Sequence, residues 1–151
     1  MASAVASEYI GSRVKMVAYD HDPGATTAII TSPDGGTTKR VHDLKDGFYF
    51  GVLAKPTIVG GAGLTVLEII ASATSAMGTE TIVKTTTVAG DSLNDYVFLE
   101  CTAEEVKHLG ATLRYVAARL TMGTSTDEAS VVYITMNRDF ETTGMTATLI
   151  N

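Results

Sequence analysis

Cysteine, tryptophan, positive charge and long apolar runs are all scarce in this chain of 151 residues. Its single cysteine, Cys101, excludes an intrachain disulfide and a zinc site built from four cysteines. The lack of tryptophan and an aromatic content of 7% argue against a carbohydrate platform or a base-stacking surface. The longest apolar stretch, residues 64–73, is interrupted by Thr65 and Glu68 and falls well short of the roughly 18 residues that a membrane span needs.

The first residues also lack the features of a secretory signal. Met1 to Glu8 contain no basic cluster and no apolar core of signal-peptide length. Together with the lone cysteine, this composition predicts a protein that is assembled in a reducing cytoplasm, without a membrane.

Acidic residues outnumber basic ones. Eleven Lys and Arg stand against 17 Asp and Glu, which gives a formal net charge of −6. An acidic chain repels phosphate backbones, so nucleic acid is not an expected partner. Hydrophobic residues make up 45% of the chain and charged ones 19%, and this balance is typical of a folded domain rather than a disordered one.

Threonine is abundant, with 23 residues, and its β-branched side chain favours strands that have one exposed face. Segments rich in β-formers recur along the chain, separated by turn residues. They cover residues 14–19, 26–31, 37–43, 48–53, 64–71, 80–88, 95–101, 114–121 and 130–137. The spacing predicts an all-β fold, an antiparallel sandwich or barrel of about nine strands.

Local signals make these expectations more specific. Ser32-Pro33-Asp34-Gly35-Gly36 predicts a turn that joins the second and third segments into a hairpin. Lys55-Pro56 predicts a break after the aromatic segment, followed by a short separate piece at 57–59. In the next segment, alternation places Leu64 with Val66 and Glu68 on one face. The last two segments are expected to form a long hairpin.

One short helix is predicted near 103–109. Thr102 is a suitable N-cap, and Glu105 three residues later completes a capping box. Glu104 adds a second acidic residue to the first turn, and Gly110 ends the helix.

The chain divides into a small-residue N-terminal arm at 1–12, a sandwich domain at 13–138 and a tail at 139–151. The tail is expected to pair either locally or with a neighbouring subunit. The candidate interaction segments are Ala2 to Tyr9 in the arm and Thr142 to Ile150 in the tail.

Two aspartate motifs resemble those of haloacid-dehalogenase-type phosphatases. An apolar strand leads into Asp20-His21-Asp22, and Gly90-Asp91 is followed by Asp95. The resemblance implies Asp20 as nucleophile, Asp22 as general acid and base, and Asp91 with Asp95 as Mg²⁺ ligands. Pro23 follows the first motif where that family usually has Gly-Thr, and no helical pattern between the motifs supports its doubly wound α/β core. The phosphatase is therefore the alternative interpretation.

The remaining motifs favour structural roles. Gly60-Gly61-Ala62-Gly63 lacks the residues of a P-loop and is expected to be a flexible turn. Cys101 follows an apolar stretch and is expected to be a small buried hydrophobe rather than a nucleophile. The three histidines are too scattered for a predicted metal site. The sequence thus predicts a protein without catalytic, cofactor-binding or metal-binding residues.

A threonine-rich all-β texture with a small-residue arm resembles the accessory virion proteins of tailed bacteriophages. The similarity covers the whole chain and includes the turn at 32–36, the stretch at 99–105 and Arg114 to Leu120. It implies a capsid decoration or cement protein that binds the major capsid protein in the virion and forms homo-oligomers, trimers being favoured. A tail or connector component is the next possibility.

Overall fold

The computed structural model describes residues 14–21, 27–29, 31–32, 36–45, 47–90, 93 and 95–137. Strands dominate them because β-branched and aromatic residues alternate with polar ones along most segments. The elements are β1 (Val14–His21), β2 (Thr27–Ile29), β3 (Thr31–Ser32), β4 (Gly36–Lys39), β5 (His42–Asp43), β6 (Gly47–Ile58), β7 (Leu64–Ser72), β8 (Thr81–Gly90), β9 (Val97–Thr102), α1 (Ala103–Leu109), β10 (Tyr115–Met122) and β11 (Glu128–Asn137).

Most strands belong to two antiparallel sheets. One sheet has four strands in the order β1-β11-β6-β9. The other has five, in the order β2-β10-β7-β8 with β5 also paired to β10, while β3 and β4 form a separate hairpin. Among the described strands neither sheet closes into a barrel. The predicted antiparallel all-β fold is confirmed, as a sandwich whose two main sheets hold nine strands.

The two sheets pack face to face around one core. Phe50 and Val52 of β6 enter it from the four-stranded sheet, and Leu67 and Ile69 of β7 enter it from the five-stranded sheet. The other fully buried core residues are Ala54, Leu64, Ala71, Cys101, Val106, Val116, Ala118, Leu120, Ala129 and Val131. Burial of this apolar surface is the main favourable term that holds the sandwich together.

The helix lies where the sequence predicts it. Thr102 Oγ1 accepts from the Glu105 backbone N–H at 3.2 Å, and Glu105 Oε2 accepts from the Thr102 backbone N–H at 2.8 Å. This reciprocal capping satisfies two backbone donors that the first turn leaves free. Only Val106 of the helix is buried, so α1 covers an edge of the core with a single side chain.

The predicted hairpin between the last two strands is wrong. Strand β10 pairs with β7 and β2, whereas β11 pairs with β6 and β1. The loop at 123–127 therefore crosses from one sheet to the other, as the loop at 59–63 does between β6 and β7. Both crossings lie at the end of the sandwich where Ile58 faces Glu128.

Two further corrections concern β6 and β7. The predicted break at Lys55-Pro56 is absent, because β6 continues to Ile58 and the pairing register with β11 shifts beside Pro56. Such a bulge accommodates a proline, which has no N–H to donate. A second shift beside Leu64 turns that side chain into the core with Leu67, rather than onto the face predicted for it.

The predicted hairpin at 26–43 is subdivided. Only β3 and β4 pair with each other, while β2 and β5 join β10 in the five-stranded sheet. The arm at 1–12 and the tail at 139–151 lie outside the described residues.

Candidate functional site

The outer face of the five-stranded sheet is covered by the chain itself. Ile70 and Ala117 point outward from β7 and β10 and are fully buried. Their cover is a second apolar cluster that includes Ile29 of β2, Met77 from the loop after β7, and the partly buried Val41 and Tyr115. This face is therefore already occupied.

Met77 reaches its place through an uncommon backbone conformation. Its φ is 52°, in the left-handed region that side chains other than glycine rarely adopt. The Met77 N–H donates to the Thr74 carbonyl at 3.1 Å, and Lys39 Nζ donates to the Ala76 and Met77 carbonyls at 3.3 and 3.2 Å. The loop is thus tied to β4, which lies next to the covered face.

A half-buried ion cluster completes that face. Arg119 of β10 donates to Glu68 of β7 and to Glu80, each at 2.6 Å. The hydrogen bond to Glu68, reinforced by the charges of both carboxylates, raises the pKa of Arg119 above its usual value. The three side chains compensate one another's charge, and Arg119 joins neighbouring strands to the loop before β8.

The outer face of the four-stranded sheet is different in character. The pairing register places Ala18, Val132, Leu53 and Phe98 in one row that crosses all four strands. Directly paired residues of antiparallel strands point to the same side, so this row is a continuous apolar band. Phe98 is 45% exposed, and Ala18 is also exposed.

A second row extends this band. Met16 and Ile134 lie next to Gly51 in the pairing register. A Cβ added to Gly51 would meet the Phe98 ring at 3.1 Å, which shows that the ring lies across this glycine. We call the surface formed by Met16, Ala18, Leu53, Phe98, Val132, Ile134 and Met136 the apolar face.

Two charged side chains beside the apolar face have identified partners. Lys55 Nζ lies 5.3 Å from the centroid of the Tyr96 ring, a cation–π contact. Glu100 accepts a 2.6 Å hydrogen bond from the Tyr49 hydroxyl. Burial and this carboxylate raise the pKa of Tyr49 above its usual value, so the hydroxyl keeps its proton. The pairing register also places Asp20 in the row of Ser130 and Lys55, so the rows beside the face hold one positive and two negative charges.

The two ends of the described domain lie side by side. Val14, where β1 begins, pairs with Met136 near the end of β11. The arm and the tail therefore join the sandwich at neighbouring positions of one sheet end. The crossing loops lie at the opposite end, where β11 begins.

The glycine-rich segment 60–63 surrounds the carboxylate of Asp127, a side chain of the protein itself. Asp127 accepts from the backbone N–H groups of Gly60, Gly61 and Gly63 at 2.6, 2.8 and 3.1 Å, and from that of Thr124 at 2.7 Å. Its side chain is fully buried. Burial by itself would raise the pKa of Asp127, but the backbone donors outweigh it and hold the pKa below its usual value. The segment predicted as a flexible turn is thus fastened to the loop at 123–127.

A small cleft lies between α1 and the turn before β6. Its volume is about 200 Å³, and it is lined by the apolar Leu44, Val106 and Leu113 together with Lys45, Lys107 and Arg114. Arg114 forms an ion pair with Asp43.

The residues of the phosphatase alternative are only partly described. Asp20 lies in β1 and Asp95 lies just before β9, while Asp22 and Asp91 fall outside the described residues. The sheets are antiparallel, which is not the doubly wound parallel architecture that the alternative requires. The fold basis for that mechanism is therefore missing.

Cys101 is buried in the core, as its sequence context predicts. Burial raises the pKa of its thiol to about 12, which keeps it protonated. In the described part of the chain no group of three His, Cys, Asp or Glu side chains is placed to hold a metal ion. No helix within the described ranges has the length and apolar character needed to cross a membrane.

No family model, curated protein or solved structure matches this chain. The candidate site therefore rests on the geometry of the molecule. The sequence interpretation missed the apolar face and Asp127. The signal for the face was present in Val131-Val132-Tyr133-Ile134, a continuous apolar run that is typical of a strand covered on both sides.

Proposed function

We propose that this chain is a non-enzymatic structural protein of a virus particle, a capsid decoration protein that binds the shell of major capsid protein. The observation that carries the proposal is the shared exit of the two chain ends. Since Val14 is the pairing partner of Met136, the arm and the tail start from neighbouring points and can reach the same shell.

Two linked segments bind better than either one alone. Once the arm is attached, the tail is held at a high effective concentration near its own site. Residues 146–150 alternate threonine with apolar residues over most of their length, a pattern suited to adding a strand to the edge of a partner sheet. Contacts that are weak individually become strong when they repeat over a symmetric shell.

The construction of the sandwich also supports a structural role. Asp127 fastens the crossing loops at the end away from the chain exits, and the Met77 cluster covers one outer face. The sandwich is therefore stabilised away from the end at which the arm and the tail are attached.

The test is co-sedimentation of the full chain with shells of the major capsid protein encoded in the same genome. We expect saturable binding. Removal of Ala2 to Ser7 should weaken it by at least about tenfold, because one of two linked attachments is lost. The thermal unfolding transition should stay unchanged. Ile82→Thr, an exposed position on β8, serves as the control and should bind like the unmodified chain.

Absence of binding to these shells would contradict the proposal. Binding that survives removal of both the arm and residues 142–150 would also contradict it, since the attachment would then lie elsewhere.

A further inference from the structure

We propose that a second copy of this chain covers the apolar face, with the two four-stranded sheets packed face to face about a twofold axis. The inference deepens the proposed function and rests on it for the setting in which copies meet. It assigns shell binding to the arm and tail and self-association to the sheet.

The two outer faces of the sandwich differ in how they are covered. The five-stranded sheet has its own cover, in which Met77 and Ile29 bury Ile70 and Ala117. Among the described residues no comparable cluster covers the apolar face, and Phe98 remains 45% exposed there. Leu53 and Val132 of the central row are half-buried. An apolar surface that crosses a whole sheet without a cover is a candidate contact surface, so we expect this face to have a partner.

The area of the apolar face is sufficient for a weak contact between two copies. Four strands about 4.8 Å apart, each contributing six or seven residues at about 3.3 Å, outline a flat area of roughly 400 Å². Side chains add to this area, and two such faces in contact bury an amount at the low end of specific interfaces. A dimer of moderate affinity is the expected result, and the close spacing of copies on a shell would favour it.

The distribution of charge also favours contact through the apolar face. Each copy has a formal net charge of −6, so two copies repel each other at most orientations. In the rows next to the central row of the apolar face, the pairing register places the charged residues Asp20, Lys55 and Glu100, so these rows hold one positive and two negative charges, a small part of the net charge. Contact through this face therefore brings two acidic molecules together with little repulsion between the surfaces that touch.

The arrangement of these charges suits twofold symmetry. Lys55 lies one row beyond the central row of Ala18, Val132, Leu53 and Phe98, and Glu100 lies one row before it. A twofold axis in the plane of the contact, running along the central row, brings the Lys55 row of one copy over the Glu100 row of the other. Lys55 of each copy then lies near Glu100 of the other copy.

The test measures the mass of the full chain by sedimentation velocity over about 1 to 100 µM. We expect a monomer–dimer equilibrium in this range. Val132→Lys should weaken the dimer by at least about tenfold, since the twofold axis brings both new charges together in a desolvated contact. Ala18→Lys should act in the same direction at an exposed position where the fold tolerates the change.

Ile82→Lys is the matched control, because Ile82, like Val132, is a β-branched residue in a strand and, like Ala18, is exposed, but it belongs to the other sheet. It should leave the dimer unchanged. A chain that is monomeric throughout, a trimer, or a dimer that both Val132→Lys and Ala18→Lys leave intact would overturn the inference.

Shell binding separates this inference from the proposed function. A dimer that never binds shells defeats the proposed function alone. A monomer that binds shells defeats this inference alone.

Discussion

At the scale of single residues, Asp127 holds two loops together. Its carboxylate accepts four backbone N–H groups from two loops that are distant in the chain. Close approach leaves no space for larger residues, since a Cβ at Gly61 would lie 2.4 Å from Thr124 Cγ2. Gly63 also has a φ of 63°, a conformation that glycine adopts without strain. The glycines of this segment therefore serve an internal contact.

Replacement of Asp127 by Asn should lower Tm by roughly 5 to 10 °C, because an amide N–H₂ would face backbone donors and the charge-assisted bonds would be lost. Differential scanning calorimetry measures the change. Since the folded-state pKa is depressed, the stabilisation by Asp127 is present above the unfolded pKa and is lost as pH falls through the folded pKa.

The difference in Tm between the unmodified chain and the Asp127→Asn variant should therefore become smaller in strong acid. Glu128→Gln, at the neighbouring position, is the control and should change Tm little. An Asp127→Asn variant as stable as the unmodified chain would refute the role of this carboxylate.

His42 is a second residue with a measurable signature. Its ring stacks on Phe50 with centroids 5.9 Å apart, and burial lowers its pKa to about 4, against the opposing effect of Asp43. The depressed pKa means that folding favours the neutral ring. Stability from this group is complete above the unfolded value of 6.5 and declines as pH falls from there towards 4.

When the pH falls from about 7 to 4.5, the contribution of His42 should lower the free energy of unfolding by roughly 2 to 3 kcal/mol. Urea unfolding at the two pH values gives this number. His42→Phe keeps an aromatic ring and should flatten the pH dependence, whereas His108→Gln on the exposed side of α1 should not. Equal pH dependence in all three proteins would rule out His42 as the source.

At the scale of elements, local and long-range signals behaved differently. The helix at 103–109 was predicted to the residue, because its capping box is contained within four consecutive positions. The pairing partners of β10 and β11 were predicted wrongly. Alternation of apolar and polar residues shows that a strand has two different faces, but it does not show which strand lies beside it. The strand break predicted at Pro56 was wrong for a similar reason. The bulge that accommodates this proline involves β11, which is more than 70 residues away in the chain.

The loop after β7 provides a test of an element that covers a sheet. Met77→Ala should reduce the free energy of unfolding by about 2 kcal/mol, since it opens a gap over Ile70 and Ala117. Met77→Gly removes the same contacts but suits the φ of 52°, so it should be less harmful than Ala by up to about 1 kcal/mol. Chemical denaturation of the two variants measures both effects. Equal stability of the Ala variant and the unmodified chain would show that the loop does not seal the face.

At the scale of the whole molecule, the sandwich has two unlike outer faces and one end from which both chain ends leave. One outer face is covered by the chain itself, and the other presents the apolar face with few charged residues beside it. In the two proposals, copies of this acidic domain contact each other through the sheet and contact a shell through the arm and tail. The two proposals assign these contacts to different parts of the chain, so each is tested separately.

Local features of the sequence determined the strand-rich composition, the position of α1 and its cap, and the burial of Cys101. Each depends on residues a few positions apart, where alternation and capping act directly on the backbone. Only the tertiary structure decided which strands share a sheet, which glycines surround Asp127, and that Leu53, Phe98 and Val132 form one surface. These residues are distant along the chain, and the hydrogen-bonded register and the shared core bring them together.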